Sequence, residues 1–460
     1  MAGIERRTTV LDTAAQQDHC GLVAESTAEQ ALRAAVESSC SIRVSRDAAA
    51  AFLSSELDHW LDPSVPYDEL DGLVLARLVT HEVRWVGKHF LARDRLERLA
   101  VVRDRYAGRD PYLDAFLDCI LDKHEGRYWN RTYLSLPVLQ VLLAEGGLPP
   151  TILAALLAAD IARYELCAAH RCTEVSPVGR PDPRTLRTRL RHAHRFMTSH
   201  LGGESSHELL AAIAHEPESD LPHLLLQLPA QPNARATEWL ELALQPVSTV
   251  HDEYFFMRVL QAHEMAFTGM VQRMRAAVVA VRAARLDDAA VVLEDVVAIM
   301  DRNATLFRMV ATMRYEAFHT FREFTDGASA IQSEQYKRFE ALCGLPPADR
   351  LGSPAYESVP VVDAEVRGGQ DTMTDAYRDA CSVGSDREKV AAIGVLLRRL
   401  EESHHRWKST HVTLATRMLG DARGSGHTTG VGYLQGWVDH RLFWALPELS
   451  EPGRGPTGSR

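Results

Sequence analysis

From residue 46 onward, apolar positions recur at three- and four-residue spacing, the period of an amphipathic helix. Val74, Leu75, Leu78, Val79 and Val83 form one stripe, and Leu113, Phe116, Leu117, Ile120 and Leu121 form another. Runs alternating with period two are almost absent, so the pattern predicts an all-α fold. Asp110-Pro111 reads as a helix start, because an Asp side chain caps free N–H groups and proline suits the first helical position. Two long helices free of proline are predicted over about 251–285 and 288–321. Another is predicted over about 386–419, ended by Gly420.

The punctuation divides the chain. Residues 1–45 are polar and rich in Ser, Thr and Ala, which predicts a flexible arm. A helical domain over 46–225, of no evident role, gives way between 217 and 250 to a stretch punctuated by Pro217, Pro222, Pro229, Pro232 and Pro246. That density of proline cannot support long helices, so a Pro-rich linker is placed at 226–250. A second helical domain spans 251–450, and 451–460 reads as a disordered tail. The Pro/Gly-rich stretch 345–370 is longer than a plain connector and reads as a loop with the character of a lid or docking segment.

Composition narrows the function. The 460 residues carry a net charge of −11, with 46% hydrophobic and 25% charged residues, as in ordinary globular proteins. Without a Lys/Arg-dense stripe, the acidic balance argues against a nucleic-acid partner. The longest apolar stretch, Ile152 to Ala159, stops at Asp160, too short to cross a bilayer. No apolar leader core stands in the first residues, and the 7 cysteines are scattered rather than framed for disulfides. A reduced, cytoplasmic protein without a membrane association is expected.

Four segments carry candidate chemistry. On the last helix, Leu400, His404, Trp407, His411, Leu414 and Met418 share one face, so imidazoles that can bind metal or haem iron sit where burial is expected. Alternatively, either is a satisfied core histidine. The loop Gly424–Gly430 combines close-approach glycines with the hydroxyls of Ser425, Thr428 and Thr429; it suits a phosphate or carboxylate, or is simply a turn. Arg322 ends an apolar stripe among phenylalanines, which calls either for an anion held by its fork or for a salt bridge to Glu264, Glu323 or Asp326. Phe256, Leu260, His263 and Phe267 share a face that composition alone reads as core. The stretch Lys123 to Tyr133 is rich in aromatic and charged residues and reads as a domain-interface patch.

Three of these segments together resemble the tryptophan 2,3-dioxygenase family. HDEYFF…QAHEMAF is similar to that family's HDExLF…HQxYELWF. FREFTDGASAIQSEQYKRFE is similar to FRxYLxPASGFQSxQFRxLE, and WKSTHVTLATRMLGDARGSGHTTGVGYL to WRYxHxxMVxRxxGxKxGTGGSSGxxYL. The motifs occur in the family's order and cover about 251 to 450. The resemblance implies a haem-dependent oxygenase with haem b as cofactor, O₂ as co-substrate and an amino acid as substrate. His411 takes the position of the ligand to the haem iron, with Trp407 in the same motif on the cofactor side. Ser329 matches a serine near a haem propionate. Arg322 takes the clamp for the substrate carboxylate, and Ser425 replaces a threonine that contacts the ammonium group. Phe256 and Phe318 match walls of the indole pocket.

Departures from the pattern bear on the reaction. Leu260 stands at the family's distal histidine, and His263 follows where the family has tyrosine. Ala266 replaces a tryptophan, which predicts a pocket either roomier or differently filled, and His427 replaces a glycine. Some relatives that hydroxylate aromatic amino acids tether haem through a cysteine at the position of Ala415, a link this chain cannot make. The reading that follows is a tryptophan dioxygenase giving an N-formylkynurenine-type product. One alternative is a haem-dependent hydroxylase or peroxygenase with His263 or His427 as its acid/base group; another is a non-catalytic haem- or ligand-binding protein. Family enzymes are oligomers in which a neighbour's N-terminal segment closes the pocket. A homo-oligomer is therefore compatible with the resemblance, as is closure in cis by the chain's own N-terminal domain.

Overall fold

The computed structural model describes residues 46–170, 179–215, 234–325, 327–382, 386–424 and 428–449. The arm, the tail, and Ser425 and His427 lie outside the described residues. Within them the regular elements are helices, which gives the all-α fold that the periodicity predicts. The first are α1 (Arg46–Leu61), α2 (Gly72–Val86), α3 (Arg93–Tyr106) and α4 (Pro111–Ile120). Carboxylates start two of them: Asp71 accepts from the backbone N–H of Leu73 at 2.8 Å, and Asp110 from that of Tyr112 at 2.9 Å. Then come α5 (Asn130–Tyr133), α6 (Leu136–Gly146), α7 (Pro150–His170), α8 (Pro183–Leu201), α9 (Gly203–His215) and α10 (Ala234–Leu242).

The second half is built on α11 (His251–Arg282) and α12 (Leu286–Val310), followed by α13 (Tyr315–Arg322). The predicted helix over 288–321 is thus interrupted at 311–314. The cause is tertiary: Asp252 accepts the backbone N–H of Arg314 at 3.1 Å, and the Thr312 hydroxyl accepts from Arg189 Nε at 3.0 Å. Next are α14 (Glu334–Cys343), α15 (Ala348–Leu351), α16 (Pro354–Glu357), α17 (Pro360–Arg367) and α18 (Met373–Ser382). The stretch expected as an open loop over 345–370 therefore forms short helices. Pro354 and Pro360 occupy first helical positions, and Tyr356, Val359, Val362 and Val366 pack on Ala341. The bundle closes with α19 (Arg387–Leu419), ended at Gly420 as predicted, and α20 (Val431–Trp437).

Helix α11 is the hub: it packs against α7, α12 and α14, while α12 packs against α19. One apolar core joins Leu75, Phe116 and Leu157 of the first half to Trp239, Phe255 and Met309 of the second. A second core holds Phe267, Met300, Phe339, Leu397 and Trp407. The segment 243–250 is buried, with the backbone N–H of Lys88 donating to Pro246 O at 2.7 Å. Gly87 has φ +85°, and a Cβ there would meet Val247 O at 2.5 Å, so this contact requires glycine.

The buried faces between the halves carry a closed ionic network. Arg189 donates to Glu165 at 2.6 Å and to Asp252 at 2.8 Å, and His251 Nε2 lies 3.2 Å from Glu165. Beside it, Asp160 accepts from Arg258 at 2.7 Å and from the Tyr254 hydroxyl at 2.8 Å. Burial alone would raise the Asp160 pKa, but Arg258 and Arg163 outweigh it and hold this carboxyl at about 2. Among the described residues no helix is long and apolar enough to cross a membrane.

Candidate functional site

A cavity of about 280 Å³ lies between α11, α12, α13, α14 and α19, with α5 on one side. Its opposite walls come from long helices, which hold side chains more firmly than loops do. The structure gathers on this one cavity Phe256, Leu260, His263, Phe318, Arg322, Ser329, Trp407 and His411, all singled out in the sequence. Of the glycine-rich loop, Gly424, Thr428 and Gly430 line it as well.

One end is aromatic. Phe256 lies 6.1 Å from Phe318 and 5.4 Å from Phe321, ring centroid to centroid. Leu260 faces the cavity one turn further along α11. Arg322 stands at the end of α13 beside these rings, its guanidinium 6.0 Å from the Phe318 centroid. Its Nη2 donates to the backbone carbonyl of Arg423, so the head group is braced against the glycine-rich loop. Among the described residues no carboxylate pairs with it, so neither Glu264 nor Glu323 provides the salt bridge weighed above; Asp326 lies outside them. Burial lowers its pKa, as expected for a cation that has lost water and gained no anion.

The loop is closed at its described ends. Gly424 donates to Thr428 O at 3.1 Å, and Gly430 has φ +69° with its missing Cβ 2.6 Å from Ala422 O. A larger residue at 430 would therefore open the loop.

The other wall holds the imidazoles. His411 is half-buried, and its open edge faces the cavity it lines. Its ring stacks on Phe307 at 5.1 Å and lies 6.0 Å from Trp407. Burial lowers its pKa to about 4, so the ring is neutral near pH 7, the form that donates a lone pair to a metal. Its ring nitrogens make no hydrogen bond to any described residue. His263 is buried beside Phe307 at 4.8 Å, and neither of its ring nitrogens has a partner among the described residues. His404, by contrast, is fully buried and held in the core at one nitrogen, with Nε2 at 2.8 Å from the Tyr336 hydroxyl and Nδ1 without a partner among the described residues. Ala266 is fully buried in the second core and does not line the cavity, so the exchange of tryptophan for alanine does not enlarge it directly.

A haem fits this arrangement. A porphyrin brings its own equatorial donors and needs one neutral imidazole from the protein, on a slot walled by apolar rings. His411 offers that imidazole, while Phe307, Trp407, Leu414 and Ala415 line the slot. A bare ion is a poorer match, because the described residues contain no group of three or more His, Cys, Asp or Glu that could hold one.

Several lining residues lay beyond sequence reasoning. Asn130, Tyr133 and Leu134 reach the cavity from the first half, on and just after α5. The aromatic and charged stretch 123–133 was their signal. Lys123 Nζ donates to Thr325 O at 2.8 Å, and the backbone N–H of Asn130 to Gln332 Oε1 at 2.8 Å. A polar pole further in holds Glu264, Lys337, Glu340, Arg350, Lys408 and His440. There Arg350 grips Glu340 through two bonds of 3.0 and 3.1 Å. Lys337 lacks such a pairing, and burial lowers its pKa to about 7. The neighbouring Glu264 is raised to about 7 by burial, with Oε2 left without a partner.

The family model described as tryptophan 2,3-dioxygenase matches residues 238–358. Proteins named tryptophan 2,3-dioxygenase are similar over the C-terminal half. That of Bordetella parapertussis is 29% identical over 241 residues, covering 45% of this chain and 84% of that protein. Those of Cupriavidus necator and Pseudomonas aeruginosa are each 28% identical, covering 81% and 82% of their lengths. The similarity to tryptophan 2,3-dioxygenases thus falls in the C-terminal half, and the helices before residue 238 lie outside the family-model match.

Proposed function

We propose that the chain is a haem-dependent dioxygenase that adds O₂ across the indole C2–C3 bond of L-tryptophan or a tryptophan derivative, giving an N-formylkynurenine-type product. The observation that carries this reading is one cavity with His411 on one wall and the Arg322 guanidinium beside aromatic rings on the other, the imidazole without a hydrogen bond and the guanidinium without a carboxylate among the described residues. Bound haem iron supplies the binding and activation of O₂, which no side chain offers.

The side chains bind and orient. Arg322 takes the substrate carboxylate in a fork of N–H donors, braced by the carbonyl of Arg423. Ser425 at the adjoining loop is the proposed partner of the ammonium group. Phe256, Phe318 and Phe321 enclose the ring and exclude water, and orientation of this kind supplies a large part of a rate. Ser329 and Trp407 belong to the cofactor side. Leu260 itself offers no hydrogen bond where the family has its distal histidine, which favours the hydroxylase or peroxygenase alternative as a second reading, with His263 or His427 as acid/base group. The bracing of Arg322 against the loop speaks for an enzyme rather than a bare haem carrier.

The test is spectroscopic and chemical. Haem-supplemented protein should show a Soret band that His411→Ala loses or shifts. Reduced protein with O₂ and tryptophan should form a product heavier by two oxygen atoms. A product heavier by one oxygen, or a need for peroxide, would support the second reading, and no Soret band at all would remove both.

A further inference from the structure

We propose that Asn130, contributed by the helices ahead of the family-like half, accepts the hydrogen bond of the substrate's ring N–H inside the cavity. The assignment rests on the function proposed above and adds a residue that the family resemblance does not reach.

An indole enclosed by Phe256, Leu260, Phe318 and Phe321 gives up the water on its N–H, and a buried donor without an acceptor is costly. Leu260 offers none. The polar side chains near that wall are mostly committed. The Tyr133 hydroxyl donates to Glu253 at 3.4 Å, and the Thr325 hydroxyl to Arg322 O at 2.9 Å. His263 lies among Phe267, Phe307 and Trp407, on the side of His411.

Asn130 differs. It is 3% exposed and lines the cavity, yet its side-chain amide makes no hydrogen bond to any described residue. Its backbone, by contrast, is fixed at both ends. The N–H donates to Gln332 Oε1 at 2.8 Å, and the carbonyl accepts from Leu134 at 2.9 Å.

Helix α5 and the residue after it are tied to α11 at two points, before and after Leu260 in the sequence. Tyr133 bonds Glu253, and Leu134 O accepts from Gln261 Nε2 at 2.7 Å. Gln332 Oε1 also takes the backbone N–H of Ser329 at 3.2 Å, which ties Asn130 to the loop of the cofactor side. A rigid, buried and uncommitted amide therefore opens onto the same cavity as the apolar residue that leaves the ring N–H unanswered. Its oxygen is an acceptor of the right kind for a neutral N–H.

The test uses the haem-loaded full chain and two probes, L-tryptophan and 3-benzothienyl-L-alanine, in which sulfur replaces the ring N–H. Binding is read from the Soret shift. Asn130→Ala and Asn130→Leu should each weaken tryptophan roughly fivefold to tenfold, the worth of one neutral hydrogen bond, and leave the sulfur isostere nearly unchanged. The alanine variant removes the amide without adding bulk, and an unaltered Soret band and circular dichroism spectrum show that it folds. Equal weakening of both probes, or no weakening of either, would overturn the assignment while leaving the proposed function standing. A wild-type chain that binds neither probe would take down the proposed function and this assignment with it.

Discussion

Two regions of the molecule contain the same kinds of charged side chain in opposite circumstances. Between the halves, Arg189, Glu165, Asp252, Arg258 and Asp160 are buried and every charge meets a counter-charge. In the cavity, Arg322, His411, His263, Glu264 and Lys337 line one space, and none of them is in an ion pair among the described residues. Titration follows the difference: the Asp160 carboxyl is held at about 2, whereas the Glu264 carboxyl is pushed to about 7. Burial acts on both, and the outcome depends on whether a guanidinium answers it. A completed network fixes the fold, and an incomplete one marks where a ligand belongs.

The largest expected effect breaks the completed side. Arg189→Ala leaves Glu165 and Asp252 buried beside each other without their shared cation. It should lower the unfolding free energy by about 3–5 kcal/mol, measured by denaturant titration. A loss under about 1 kcal/mol would mean that water or His251 already satisfies these carboxylates, and the contrast between the regions would fail.

The matching change on the incomplete side is Arg322→Gln. Since no carboxylate depends on this guanidinium among the described residues, stability should stay within about 0.5 kcal/mol of wild type. Tryptophan binding, read from the Soret band, should weaken roughly tenfold to a hundredfold, the range for a hydrogen bond to a charged group. If the substitution unfolds the protein as Arg189→Ala does, Arg322 belongs with the structural arginines.

What the sequence discloses differs between the regions for a physical reason. Helices α11 and α19 and the start of α4 are legible because period, proline-free length, Asp110 and Gly420 are local signals. Arg322 and His411 are legible because motifs carry them. The break at 311–314 is not, since its partners Asp252 and Arg189 come from elsewhere in the chain. In 345–370 proline has two meanings, and Pro354 and Pro360 start helices where composition suggested a loop. Asn130 is only half legible: the aromatic and charged stretch around it marks an interface, but the cavity it lines is set by bonds to the distant Gln332 and Gln261.

The smallest effect tests the cavity's own electrostatics. Glu264 has an ordinary pKa of 4.5, raised to about 7 chiefly by burial. A carboxyl raised in this way contributes full stability below about 4.5 and loses it as pH climbs through about 7. Lys337 runs the other way: lowered from 10.5 to about 7, it contributes above 10.5 and loses that as pH falls through about 7. The two attract each other, so each softens the other's penalty near neutrality. Glu264→Gln removes the carboxylate penalty but also that attraction, leaving a net gain of about 1–2 kcal/mol at pH 8 and little change at pH 4.5. Thermal unfolding of both proteins at the two pH values, at matched haem content, measures the difference. A variant that is less stable at pH 8 than wild type would place Glu264 and Lys337 in a completed pair, and this pole of the cavity would then belong with the ionic network around Arg189.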